Sequence, residues 1–125
     1  MSDEDFTDIA HAAFDLARQG STDRLEAYLS AGLPPDLATG EGDTLLMLAA
    51  YHGHASTVAA LAARGAGVNR LNDRGQSPLA GAVFKGYVEV VEQLVKLGAD
   101  PDEGTPSARE IAVMFERQEL ASRFF

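Results

Sequence analysis

Apolar side chains fall at i, i+3 and i+4 in three segments set 33 residues apart: Leu25, Tyr28 and Leu29; Val58, Leu61 and Ala62; Val91, Leu94 and Val95. That spacing puts each triplet on one stripe of an α-helix. A second helix is predicted ahead of each stripe. The first of these inner helices runs over residues 9–19 and carries Ile9, Ala13, Leu16 and Ala17. The next two follow Thr44 and Ser77, residues whose side chains cap helix starts, and Pro78 suits a first helical position. Ser21 or Thr22 is the expected cap of the first outer helix, and His11 falls in the register of Thr44 and Ser77 as an imperfect capping or packing position.

Two glycine series carry the same period. Gly20, Gly53 and Gly86 are each 33 apart, and so are Gly32, Gly65 and Gly98. The first series stops the inner helices and the second stops the outer ones, because glycine accepts the left-handed turn that ends a helix. Helices this short do not persist alone in water, so each pair must bury its stripe against the next pair. The connections LPPDLATGEGD and AGVNRLNDRGQ are polar, and Gly40-Glu41-Gly42 and Asp73-Arg74-Gly75 are turn sequences. The expectation is an all-α solenoid of stacked helix-turn-helix units with β-hairpin-like connecting turns. It forms a single domain over residues 1–125, with units near 6–38, 39–71, 72–104 and 105–125, the first and last acting as caps.

The last unit departs from the pattern. Gly98 to Ser107 is 9 residues where Gly65 to Ser77 is 12, so its turn is three residues shorter. Ser107 and Glu110 read as a capping box opening an inner helix, SAREIAVMFERQ. Glu116 stands where a glycine is expected, ELASRFF is a remnant second helix, and Phe124 and Phe125 are expected to fold back onto the preceding unit. At the other end residues 1–8 are acidic, and Met1 to Asp5 are expected to fray.

These features resemble the ankyrin repeat family. The carrying residues are Asn72-Asp73-Arg74-Gly75-Gln76-Ser77-Pro78-Leu79, Gly86, Glu89-Val90-Val91 and Gly98-Ala99-Asp100 in the third unit. The second unit adds Thr44, Leu46, Leu48-Ala49-Ala50, Gly53-His54 and Gly65-Ala66. Leu16-Ala17, Gly20, Leu25 and Gly32 stand for the first unit, and Thr105-Pro106 or Ser107, then Ile111-Ala112, for the fourth. The resemblance implies non-catalytic protein binding and does not name a partner. The histidine of the family's Thr-Pro-Leu-His motif is replaced by Met47 and Ala80, which implies looser turns.

Composition narrows the function classes. The net charge is -9, which disfavours nucleic acid and anionic membrane surfaces and favours a partner with a basic face. The absence of cysteine removes disulfides and thiolate chemistry. No secretory leader or membrane-length apolar run is present, so the expected location is cytoplasmic. His52-Gly53-His54 has a spacing compatible with a metal, but His54 matches the structural Gly-His position of the family and His52 reads as a surface residue, so no catalytic residue, metal or cofactor is expected.

What remains is a binding surface. Under the resemblance, the turn tips and the inner helices frame a concave face. The tips contribute Glu41, Asp43, Leu71, Arg74 and Gln76, and the inner helices Arg18, Gln19, Met47, Tyr51, His52, Phe84 and Lys85. Tyr51 and Phe84 are 33 apart, so they hold one place in adjacent units and are the expected aromatic anchors. The expected function is a protein–protein interaction module, a monomer or weak homodimer. The alternative is the regulatory or inhibitory subunit of an enzyme, its acidic surface covering a basic site.

Overall fold

A computed structural model describes residues 3–125, with side chains from residue 5. It contains eight helices among the described residues: α1 Asp3–Gln19, α2 Thr22–Ser30, α3 Leu45–Tyr51, α4 Ala55–Ala63, α5 Pro78–Lys85, α6 Val88–Lys96, α7 Ala108–Met114 and α8 Gln118–Phe124. The inner helices α1, α3, α5 and α7 pack in series, and the outer helices α2, α4, α6 and α8 pack in a second, parallel series. The result is the stack that the apolar stripes predict.

The inner helices form the spine of the core. Leu45 to Ala50 are all buried, because α3 is flanked by α1 on one side and α5 on the other. A helix apolar on every side is stable only in such a sandwich. Each outer stripe points inward: Leu25, Leu29, Val58, Leu61, Val91 and Leu94 are buried. Thr44 and Ser77 cap α3 and α5 through their hydroxyls, which accept from the Met47 and Ala80 backbone amides. Ser107 and Glu110 form the full capping box of α7.

One backbone device ends all of the first seven helices. At α5, the Gly86 amide donates to the Val83 carbonyl and the Tyr87 amide to the Ala82 carbonyl. This is the Schellman pattern, which needs a left-handed residue at its centre. The same bond pair recurs at Gly20, Gly32, Gly53, Gly65 and Gly98, all with positive φ. At α7 the left-handed position is filled by Glu116, with φ 57°, and Arg117 completes the pattern on Ala112. The expected inner helix SAREIAVMFERQ therefore stops at Met114.

The structure also differs at the start. Met1 and Ser2 lie outside the described residues, but Asp3 to Asp5 are helical instead of frayed. α1 begins six residues before Ile9, so His11 sits inside a helix with an exposed side chain and caps nothing. The N-terminal acidic residues favour that extension, because carboxylates at a helix start complement its dipole. Ser21 stands at the start of α2 without a side-chain cap bond. Phe124 and Phe125 pack against the core.

The connections are hairpin-like turns with no strand among the described residues. The Thr39 amide donates to Asp43 and the Asn72 amide to Gln76, while Ala38 and Thr44 form an isolated antiparallel bridge. Successive tips are tied together. The Asp73 amide donates to the Glu41 carbonyl and the Thr105 amide to the Gly75 carbonyl, both at 3.0 Å. Asn72 adds a bond to the Asp43 carboxylate at 2.9 Å. These bonds join the tips without a histidine at positions 47 and 80.

Candidate functional site

The inner helices α3, α5 and α7 line an apolar groove of about 290 Å³. Tyr51 from α3 and Phe84 from α5 form its rims, and Met47, Ala80 and Gly81 form its floor. Ile111, Met114 and Phe115 close the far side, and Gln76, Ser77 and Pro106 close the tip end. Tyr51 and Phe84 are each 39% exposed, while their chain neighbours Ala50 and Val83 are completely buried. The same turn of helix thus alternates between core and surface. Gly81 lets the Tyr51 ring lie close, since a Cβ there would stand 3.2 Å from the ring.

The rings are held in place by their neighbours. Phe84 and Phe115 meet edge to face with centroids 4.8 Å apart. Tyr51 meets His52 edge-on at 5.7 Å, and the Lys85 ammonium stands 5.0 Å from the Tyr51 centroid. Aromatic rings fixed this way present large area at little entropic cost. Burial, followed by repulsion from His54, Arg18 and Lys85, holds the His52 pKa below its ordinary 6.5.

A repeated bracket supports the edge of the groove. His54, Tyr87 and Arg117 occupy one position in successive units, and each covers the glycine that ends the preceding inner helix, Gly20, Gly53 and Gly86. His54 Nε2 donates to the Arg18 carbonyl at 2.7 Å, and Arg117 donates to the Phe84 carbonyl at 3.4 Å. His54 is therefore committed to a structural bond. Among the described residues no group of three or more His, Asp or Glu side chains converges as a metal site would require.

Of the surface residues expected from the sequence, the groove brings together Tyr51, Phe84, Met47 and Gln76, with His52 and Lys85 against the Tyr51 ring. Met47 differs from expectation: it is 5% exposed and packs as the groove floor, because α3 is covered from both sides. Arg18 and Gln19 are exposed at the end of α1, outside the groove lining. Glu41, Asp43, Leu71 and Arg74 lie on the tips, also outside that lining. Asp43 accepts from Asn72, and Leu71 lies against Gly104 of the next tip.

Met114 and Phe115, 61% and 46% exposed, were not expected at this site. A signal for them exists. Carrying the register of Tyr51 and Phe84 through a turn three residues shorter leads to Met114 (84 + 33 − 3 = 114), with Phe115 beside it.

A family model for ankyrin repeats in three copies matches residues 11–105. The chain belongs to the ankyrin repeat family. Ankyrin repeats generally serve as protein–protein interaction modules, and the family is generally non-catalytic. The chain is 57% identical over 56 residues to an ankyrin repeat protein of Pseudomonas aeruginosa, a match covering 45% of this chain and 33% of that protein. It is 41% identical over 70 residues to the human ankyrin repeat domain-containing protein 29, covering 55% of this chain and 23% of that one. The matched stretches thus span a third or less of either relative's length. Among the described residues no helix is long and apolar enough to cross a membrane.

Proposed function

We propose that this ankyrin stack is a non-catalytic module that holds another protein on the concave face of its inner helices, with Tyr51 and Phe84 as anchors. The observation that carries the reading is the groove itself. It gathers aromatic and aliphatic groups that stay exposed, Tyr51, Phe84, Met114 and Phe115, and the other apolar side chains of α3 and α5 are buried. Exposed apolar surface on a rigid frame is characteristic of a binding site. Little of the site needs ordering on association, because the rings are already braced by Phe115, His52 and Lys85. The module acts as a monomer or weak homodimer.

The test is affinity capture from the protein's own cells with mass spectrometry, comparing the native chain with Tyr51→Ala/Phe84→Ala. Loss of two anchors is expected to weaken a direct partner by about 30-fold or more. Equal recovery of the same partner by a folded double variant would sink the anchor assignment. The second reading, a regulatory subunit whose acidic surface covers a basic enzyme site, draws on the net charge of -9 and the exposed Glu41 and Asp73 tips. It predicts inhibition that weakens steeply with salt.

A further inference from the structure

The chain as a whole is strongly acidic, with a net charge of -9. The groove does not share that sign. None of its lining side chains is charged, and the edge where the inner helices end is basic. Arg18, Lys85 and Arg117 stand along that edge with His52 and His54 among them. The last-turn carbonyls of α1, α3 and α5 make it a favourable place for cations. Two of these cations are engaged: Arg18 pairs with Asp15 at 2.9 Å, and Arg117 donates to the Phe84 carbonyl. Lys85 differs. It makes no ion pair among the described residues, and its ammonium rests on the ring of an anchor residue.

The carboxylates around the groove do not cancel this. Asp43 accepts from Asn72 and Glu110 from the Ser107 amide, both on the tip side. Glu116 follows Phe115 at the end of α7, one unit on from Lys85 at the end of α5. A cleft of about 290 Å³ suits one or two side chains of a peptide and is small for a cofactor.

We propose that the groove takes a protein segment that sets an aliphatic or aromatic side chain between Tyr51 and Phe84 and a carboxylate against Lys85. The preferred partner segment is thus acidic and apolar, opposite to what the overall charge suggests. This rests on the concave-face reading above. A carboxylate at the exposed Lys85 gains an ion pair, whereas a basic segment meets Lys85, Arg18 and Arg117 with like charge.

The experiment selects a phage-displayed library of random twelve-residue peptides on the full chain, then measures the enriched peptides by fluorescence polarisation. Peptides combining Leu, Met or Phe with Asp or Glu are expected. Lys85→Glu should weaken them roughly three- to tenfold, the size of an exposed charge effect reversed in sign. Replacing the peptide carboxylate by Lys should restore binding to Lys85→Glu. Enrichment of Lys- or Arg-rich peptides, enrichment of nothing, or an affinity unchanged in Lys85→Glu overturns the proposal. The Tyr51→Ala/Phe84→Ala chain separates the two readings. If it abolishes binding while Lys85→Glu does not, the groove stands and the charge preference falls. If it binds the peptides as well as the native chain, the concave-face reading falls with it.

Discussion

Glu116→Gly is expected to stabilise the protein. Six of the seven Schellman turns in the stack are centred on glycine, and the seventh holds Glu116 at φ 57°. A side chain in the left-handed region costs about 1–2 kcal/mol, from the clash of Cβ with the following carbonyl. Glycine removes that clash but returns roughly 0.5–1 kcal/mol through its greater freedom in the unfolded chain. The net expectation is a gain of about 0.5–1 kcal/mol. With a urea slope of about 2 kcal/mol/M, the unfolding midpoint should rise by roughly 0.3–0.5 M. Glu116→Ala is the control. It removes the same carboxylate from the unfavourable C-terminal end of α7 but keeps a Cβ in the left-handed conformation. The measurement is urea unfolding followed by circular dichroism for the three chains. A glycine variant no more stable than the alanine variant would refute the argument. The result bears on the groove too, because this turn sets where α7 ends and so where Met114 and Phe115 stand.

Two further outcomes follow from the groove edge. His54→Ala should cost about 1–2 kcal/mol, since it removes the bond to the Arg18 carbonyl and the cover over Gly20. Hydrogen exchange should quicken in α1, and a loss under roughly 0.5 kcal/mol would show the bracket to be incidental. His52 has a folded pKa below its ordinary 6.5, so the unfolded chain takes up that proton first as pH falls. The stability present at pH 7 should therefore decline as pH drops through 6.5 towards the lowered value. Urea midpoints across that range should fall less for His52→Gln, and identical profiles would remove His52 as the cause.

Much of the fold was legible because the signals are local. A left-handed glycine or a capping hydroxyl acts through bonds within one turn, so Gly20, Gly53, Gly86, Thr44, Ser77 and Ser107 declare helix ends without reference to the rest of the molecule. A fixed period then makes stacking the only way to bury the stripes. The length of α1 was not legible in the same way. Residues 3–11 stand where later units carry a turn, and neither cap nor glycine marks the change.

The sequence by itself determined the period, the helix ends marked by a cap or a glycine, and the aromatic register of Tyr51 and Phe84. Only the tertiary structure decided which residues of that register meet solvent. Exposure depends on what packs from the neighbouring unit, a distance of 30 or more residues along the chain. Met47 became floor because α1 and α5 enclose α3, whereas Met114 became wall because α7 packs on α5 alone among the inner helices. Val113 shares the register of Ala50 and Val83, both completely buried, yet is 64% exposed for the same reason. His54 was legible as a structural residue from its Gly-His motif, but the recurrence of its bracket as Tyr87 and Arg117 was invisible for a different one. A histidine, a phenol and a guanidinium share no class in a sequence pattern, but each is flat enough to cover a glycine turn once the stack brings it there.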